Sequence, residues 1–112
     1  MQQSLRSVLV ALTGFLWVAS PVAGAAEDYT LTIKDHRFSP AELQVPAGRK
    51  IKLVVKNEDA SPEEFESKSL RKEKIVPGNG QVVMPLGPLD PGSYDFYGEF
   101  HEATAQGRIV AK

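Results

Sequence analysis

The chain has 112 residues, with 13 basic and 14 acidic side chains and a formal net charge of −1 at pH 7. This balance gives no indication of a nucleic-acid partner or of an anionic membrane surface. The chain has no cysteine, which excludes both disulfides and a lipoprotein anchor. Small exported domains often add disulfides or a metal, so the lack of cysteine makes a metal somewhat more plausible, although many domains of this size fold unaided.

The first 25 residues are typical of a secretory signal peptide. Arg6 is their only charge, an apolar run follows from 8 to 18, and small residues precede a predicted cleavage near Ala25 or Ala26. The apolar run is shorter than the about 20 residues of a membrane-spanning helix, although an uncleaved anchor stays the alternative. We therefore predict a signal peptide followed by one exported domain at 26–112.

Beyond the leader, apolar and polar residues alternate in short segments, and turns containing proline or glycine separate these segments. The alternation predicts strands at 29–34, 43–45, 51–56, 82–86, 94–97 and 108–111. Several short strands without long amphipathic helices indicate an all-β sandwich.

The stretch 61–75 gives conflicting signals. Ser61 and Pro62 resemble the start of a helix, with a glutamate three residues after the serine. The apolar residues that follow are five apart and do not share one helical face. We expect an extended segment from Phe65, with a helical turn near 69–72.

Three segments carry a family resemblance. Residues 36–48 contain F-S-P, an apolar strand and A-G; residues 54–57 form a strand that ends in asparagine; and an aromatic strand at 94–97 enters a short loop containing His101. Together they resemble the cupredoxin superfamily, which implies a Greek-key β-sandwich with a metal site at one end.

Two further motifs narrow the resemblance. E-E-F-E-S at 63–67 and F-Y-G-E-F-H at 96–101 are similar to the EfeO-type cupredoxin-like proteins. Those proteins accompany periplasmic iron-uptake systems, so the resemblance implies a periplasmic location and a partner among the components of such a system.

Blue-copper ligands are mostly missing from the corresponding positions. By resemblance, the first histidine position falls at or beside Glu63, the cysteine position on Gly98 and the axial methionine position near Ala105 or Gln106. The second histidine position falls on His101, which is present. Since the blue colour and fast electron exchange depend on a copper thiolate, a blue-copper carrier is excluded.

Imidazoles and carboxylates are expected at the same end of the sandwich. His36 precedes the F-S-P turn and is expected near His101, and the acidic loops and strand ends should lie beside them. Strand alternation lets either Glu63, or Glu64 together with Glu66, point toward the site. The candidate metal ligands are His101, Glu99, His36, Glu64, Glu66 and Glu63.

This ligand set suits Cu(II), iron, manganese or zinc better than Cu(I), which prefers sulfur. Each candidate also has a simpler interpretation as a solvated side chain. Glu73, between Lys72 and Lys74, is expected to be a solvated ion-pair residue.

The resemblance implies a periplasmic protein that binds copper or iron and serves ferrous-iron uptake. It would act by capturing and handing over the ion, or by assisting the oxidation of Fe(II), and the sequence does not decide whether it is an enzyme. The alternative is a metal-free cupredoxin-fold adaptor that binds a partner protein through its acidic strip.

Overall fold

The computed structural model describes residues 26–112, so the predicted signal peptide lies outside the described residues. The described part forms two β-sheets and one short 3₁₀ turn at Glu99–His101. The strands are β1 (Glu27–Lys34), β2 (Arg37–Ser39), β3 (Glu42–Val45), β4 (Ile51–Asn57), β5 (Glu63–Ser67), β6 (Lys72–Val76), β7 (Gln81–Leu86), β8 (Gly92–Gly98) and β9 (Gln106–Ala111).

The strand order is β2-β1-β4-β7 in the four-stranded sheet and β3-β9-β8-β5-β6 in the five-stranded sheet. β1 runs parallel to β4 and β3 parallel to β9, while the other neighbours are antiparallel. Many spatial neighbours are not consecutive in sequence, as Greek-key crossovers require. The predicted all-β, Greek-key β-sandwich is therefore confirmed. Within residues 26–112 no helix is long and apolar enough to cross a membrane.

The stretch 61–75 folds without the helix start that its first residues suggested. β5 begins at Glu63, pairs with both β6 and β8, and buries Phe65 completely. A turn at 68–71 closes the β5–β6 hairpin, where we expected a helical turn. Pairing and core burial outweigh a local capping signal of about 1 kcal/mol.

Three phenylalanines join the two sheets beneath the end that carries the candidate site. The Phe38 ring lies edge-on to Phe96 with centroids 4.9 Å apart, and Phe65 stacks on Phe96 at 5.3 Å. Aromatic pairs of this kind contribute about 0.5–1.5 kcal/mol beyond their burial. Because they come from β2, β5 and β8, they fix the three strands that lead into the site.

Candidate metal centre

His36 lies in the tight turn between β1 and β2. The turn has two residues, Asp35 and His36, with φ angles of 52° and 56°, and Lys34 pairs with Arg37 across it. Such left-handed pairs match the twist of a hairpin. The Asp59 carboxylate accepts hydrogen bonds from the backbone N–H of Asp35 (2.8 Å) and of His36 (3.0 Å). The bond from His36 is the main reason that the pKa of Asp59 is lowered.

Asn57 holds the loop that supplies Asp59. Its Nδ2 donates to the backbone oxygens of Ser61 (2.8 Å) and Val76 (3.3 Å), and its Oδ1 accepts the N–H of Asp59 (3.0 Å). The side chain is buried, so these bonds satisfy a polar group that would otherwise be costly. Asn57, which ends β4, therefore positions the His36 turn through Asp59.

His101 lies in the loop between β8 and β9, which is closed at its base. The Gly98 N–H donates to the Ala105 oxygen, and the Ala105 N–H donates to the His101 oxygen, both at 2.8 Å. The Thr104 hydroxyl donates to the His36 backbone oxygen at 2.6 Å. The hydroxyl bond ties this loop to the β1–β2 turn, which brings the two histidines together.

The imidazole rings of His36 and His101 stack on each other. Their centroids are 3.6 Å apart and their planes differ by 13°. The structure thus places His36 beside His101, as we expected from the sequence. A ring nitrogen binds a metal in the plane of its ring, so two parallel stacked rings do not aim at one ion. Coordination of a single ion by both histidines requires one ring to turn.

Glu63 is the buried carboxylate of this centre and is only 1 % exposed. Its Oε1 accepts the backbone N–H groups of Phe100 (2.9 Å) and Glu64 (3.0 Å), and its Oε2 lies 2.5 Å from His101 Nδ1. Because an ionised carboxylate only accepts, Nδ1 carries the proton of that bond and Nε2 is left for a ligand. A carboxylate on one ring nitrogen is the usual support of a metal-binding histidine.

Gly98 stands where the resemblance puts the copper-binding cysteine, and the structure leaves no room there for a side chain. A Cβ at this position would lie 2.6 Å from Glu63 Cδ and 2.7 Å from Ala105 Cβ. The Glu63 carboxylate therefore fills the space that a cysteine side chain would enter. With no cysteine in the chain and this space taken, the residues do not fit a blue-copper centre.

The other sequence-predicted carboxylates lie on the opposite face of β5. Alternation along the strand turns Glu63 and Phe65 toward the core and Glu64 and Glu66 outward. One ligand atom from each of His36, Glu63 and His101 lies within 4.8 Å of the others, and a separate group meets the same limit. The members of that second group, which we call the carboxylate quartet, are Glu64, Glu66, Glu73 and Glu99.

Glu73 was not among the ligands expected from the sequence; it is exposed, as we expected of a solvated residue, but it forms no ion pair within the described residues. Glu73 faces Glu66 directly across the β5–β6 pair, and the described residues contain no salt bridge to it. The sequence signal that could have placed Glu73 beside Glu66 was symmetry, because the two residues are equally distant from the centre of the hairpin turn. That symmetry becomes visible only once the segment is known to be a hairpin.

The pKa values of Glu64 and Glu99 are raised, first by side-chain hydrogen bonds to other carboxyls of the quartet. The pKa of Glu64 is raised to about 7, first by its contact with Glu73, then by burial and by Glu99. The pKa of Glu99 is raised mainly by its contact with Glu66. On the same face, burial and the charge of Glu66 raise the pKa of Tyr97. Each shift means that the folded protein favours the protonated, uncharged form of the group.

Comparison with known proteins agrees with this architecture. Residues 7–111 match the family of the cupredoxin-like domain. An uncharacterized protein of Rickettsia prowazekii (strain Madrid E) is 48% identical over 80 residues, which are 71% of this chain. The chain spans 64% of the length of that relative, which is less than two thirds.

Solved structures share the fold at low identity. Auracyanin A, a "blue" copper protein from Chloroflexus aurantiacus, superposes with a TM-score of 0.66 at 15% identity, covering 79% of this chain and all of its own. Amicyanin from Paracoccus versutus gives 0.59 at 16% identity, covering 84% of this chain and 87% of its own. A purple cupredoxin from Nitrosopumilus maritimus gives 0.58 at 17% identity, covering 76% of this chain and all of its own. The domain match over 7–111, supported by this shared sandwich, shows that the chain belongs to the cupredoxin-like domain family.

Proposed function

We propose that the protein is an EfeO-type, periplasmic metal-binding member of its family, which captures a copper or iron ion and hands it over for ferrous-iron uptake. The ion is cargo rather than a resident cofactor, since a blue-copper centre does not fit the residues. Ion capture uses the imidazole centre, which we define as His36, Glu63 and His101. Imidazole and carboxylate ligands suit Cu(II) and iron.

One observation carries the proposal: the buried pair of His101 and Glu63. The Glu63 side chain is 2 % exposed, and its bond to Nδ1 leaves the Nε2 atom of a 29 % exposed imidazole to bind an ion. Glu63 therefore acts as the positioning residue for His101 in this structure. His36, stacked on the other side, is close enough to supply a second nitrogen after a rotation of its ring.

The test is calorimetric titration of the purified protein with Cu(II), and with Fe(II) under anaerobic conditions. We expect His101→Ala to weaken binding by about tenfold or more, since support residues alone are worth about 10–100-fold. Glu102→Gln, an exposed neighbour in the same loop, is the matched control and should bind as the parent does. If His101→Ala binds both ions like the control, the imidazole centre is not the ion site.

Export and the link to iron uptake need separate measurements. Mass spectrometry of the mature protein should find a start near Ala25 or Ala26, and cell fractionation should recover the protein from the periplasm. A strain lacking the protein should take up less iron when ferrous iron is scarce, and His101→Ala should restore less uptake than Glu102→Gln. Normal uptake in the deletion strain would contradict the proposed role.

A metal-free adaptor is the second candidate, and one observation favours it. The Glu63 carboxylate already fills the interior at Gly98, and in residues 26–112 no buried side-chain polar atom lacks a hydrogen-bond partner. Such a centre is complete without an ion. Since an ion that binds only the folded state raises the melting temperature, an unchanged melting temperature with Cu(II) and Fe(II) would favour the adaptor.

A further inference from the structure

We propose that the outer face of the four-stranded sheet binds an anionic lipid surface. The outward side chains of β2, β1, β4 and β7 form this face, which we call the basic face. It contains no residue of the imidazole centre or of the carboxylate quartet. The inference goes beyond the proposed function, because it does not require any ion to bind at the histidines.

Strand alternation places four basic side chains on the basic face. All four are exposed, and their neighbours along each strand are buried in the core; they are Lys34, Arg37, Lys52 and Lys56. Asp28 is the one acidic residue that these strands turn outward, and Glu58 lies just beyond the end of β4. The cations thus spread over three neighbouring strands of one flat sheet and do not converge on a pocket.

The four cations have no anionic partner within the part of the chain that the structure describes. None of them forms an ion pair or a side-chain hydrogen bond there, although Asp28 lies opposite Lys52 in the β1–β4 pair. Lys34 lies directly opposite Arg37 in the β1–β2 pair. Since like charges opposite each other destabilise a sheet, an external anionic surface would relieve this repulsion.

The outer face of the five-stranded sheet carries the opposite charge. Its strands turn five carboxylates outward, namely Glu42, Glu64, Glu66, Glu73 and Asp95. The one basic residue that they turn outward, Arg108, is paired with Glu42 at 2.7 Å. The net charge of −1 hides this separation, which is why the composition gave no indication of a lipid partner.

The separation lets the basic face act on its own. Packed sheets lie about 10 Å apart, and the side chains on their outer faces are farther apart still. That distance exceeds the Debye length of about 8 Å at physiological ionic strength, so the carboxylates do little to weaken the attraction of the basic face. They also repel an anionic surface, which favours one orientation of the protein on it.

The composition of the basic face favours lipid headgroups over an acidic protein. Centres of protein interfaces are enriched in aromatic residues and depleted in lysine. Three of the four cations here are lysines, and the strands turn no aromatic side chain outward. Lysine is a flexible, strongly hydrated point charge, which suits the diffuse charge of headgroups. Each lysine or arginine near an anionic bilayer adds to the attraction.

The first test is sedimentation of the purified protein with lipid vesicles at low ionic strength. Vesicles of equal parts phosphatidylglycerol and phosphatidylcholine should carry the protein down, and phosphatidylcholine alone should not. Lys52→Gln combined with Lys56→Gln should weaken binding by about tenfold or more. The control, Lys68→Gln combined with Lys74→Gln, removes the same charge from exposed positions of the β5–β6 hairpin and should bind as the parent does.

Equal weakening in the two double variants, or equal binding to both kinds of vesicle, would overturn the proposal. Poly-L-glutamate serves as a probe for the alternative of an acidic protein partner. If poly-L-glutamate binds and the vesicles do not, the basic face serves an acidic protein and the lipid proposal is wrong.

A second test identifies the face that meets the lipid. Because the chain has no cysteine, one introduced cysteine carries a polarity-sensitive fluorescent label at a single position. Val83→Cys places the label on the basic face and Ile75→Cys on the opposite outer face, at side chains that are 51 % and 56 % exposed. Anionic vesicles should shift the emission of the label at position 83 and leave that at position 75 unchanged. Equal shifts would show that the basic face does not direct the binding.

Discussion

On the inner face of β5, the Glu63 carboxylate accepts three hydrogen bonds from two amides and an imidazole, whereas on the outer face the Glu64 carboxyl contacts the carboxyls of Glu73 and Glu99. Both side chains are buried, and they are consecutive in sequence. The difference is therefore not one of depth but of neighbours: two amides and an imidazole on one side, three more carboxylates on the other.

Glu63 and Glu64 represent two ways in which a small β-sandwich accommodates a buried glutamate. Glu63 is compensated by the protein itself, so its removal should destabilise the fold. The carboxylate quartet is not compensated by the protein, so removal of one of its charges should stabilise the fold or leave it unchanged. Variants on each face of β5 test that contrast.

Glu63→Ala should have the largest effect on stability. It leaves the N–H groups of Glu64 and Phe100 without an acceptor, removes the partner of His101 and opens a cavity. Each buried donor left without an acceptor costs about 1–3 kcal/mol, and the cavity adds to this, so we expect a loss of about 3 kcal/mol or more in urea unfolding. Glu102→Ala, on the exposed loop surface, should change the free energy of unfolding by less than about 0.5 kcal/mol. A loss below about 1 kcal/mol in Glu63→Ala would mean that the inner carboxylate is not compensated as described.

Gly98→Ala should have the second-largest effect on stability, because its new methyl group would lie 2.6 Å from Glu63 Cδ and 2.7 Å from Ala105 Cβ. Overpacking of this kind costs about 1–3 kcal/mol. The same substitution in a Glu63→Ala background should cost less, by about 1 kcal/mol or more, since the competing carboxylate is gone. Additive losses in this double-mutant cycle would show that Glu63 does not occupy the space beside position 98.

The pH dependence of stability tests the outer face. The pKa of Glu64 is about 7 in the folded protein, against an ordinary 4.5, so the folded state binds its proton more tightly than the unfolded chain does. The resulting stabilisation is fully present below about pH 4.5 and is lost as the pH rises through about 7. We expect the melting temperature of the parent to fall over that interval relative to that of Glu64→Gln. Parallel curves for the parent and Glu64→Gln would contradict the raised pKa of Glu64, and Glu102→Gln should follow the parent throughout.

Much of the fold follows from the sequence for physical reasons that can be named. The alternation at 51–56 predicts a strand because one face is buried and the other is wet, and the structure confirms it. The segment from Ser61 gave conflicting signals, because Ser61 and Pro62 resemble a helix start whereas a strand, β5, begins at Glu63. Only the pairing of Glu63–Ser67 with two neighbouring strands decides between them.

The sequence predicted those features of the candidate site that depend on the order of its segments along the chain. The F-S-P turn and the loop after the aromatic strand placed His36 near His101, and the structure brings the rings into contact. Assigning each acidic residue to the imidazole centre or to the carboxylate quartet required the strand register. Sequence alternation separated Glu63 from Glu64, but it could not show that the space at Gly98 is filled by a carboxylate.

His36→Asn should have the smallest effect on stability, and it tests whether the two imidazole rings bind the same ion. Asparagine tolerates the left-handed backbone at φ 56°, so the variant removes the ring without straining the turn. The His36 side chain is 44 % exposed, so loss of the stack should cost less than about 1 kcal/mol. Because stacked rings do not aim at one ion, we expect a smaller fall in Cu(II) affinity than in His101→Asn, measured by calorimetry. Equal falls would show that both imidazoles bind the same ion, and that ion binding therefore separates the stacked rings.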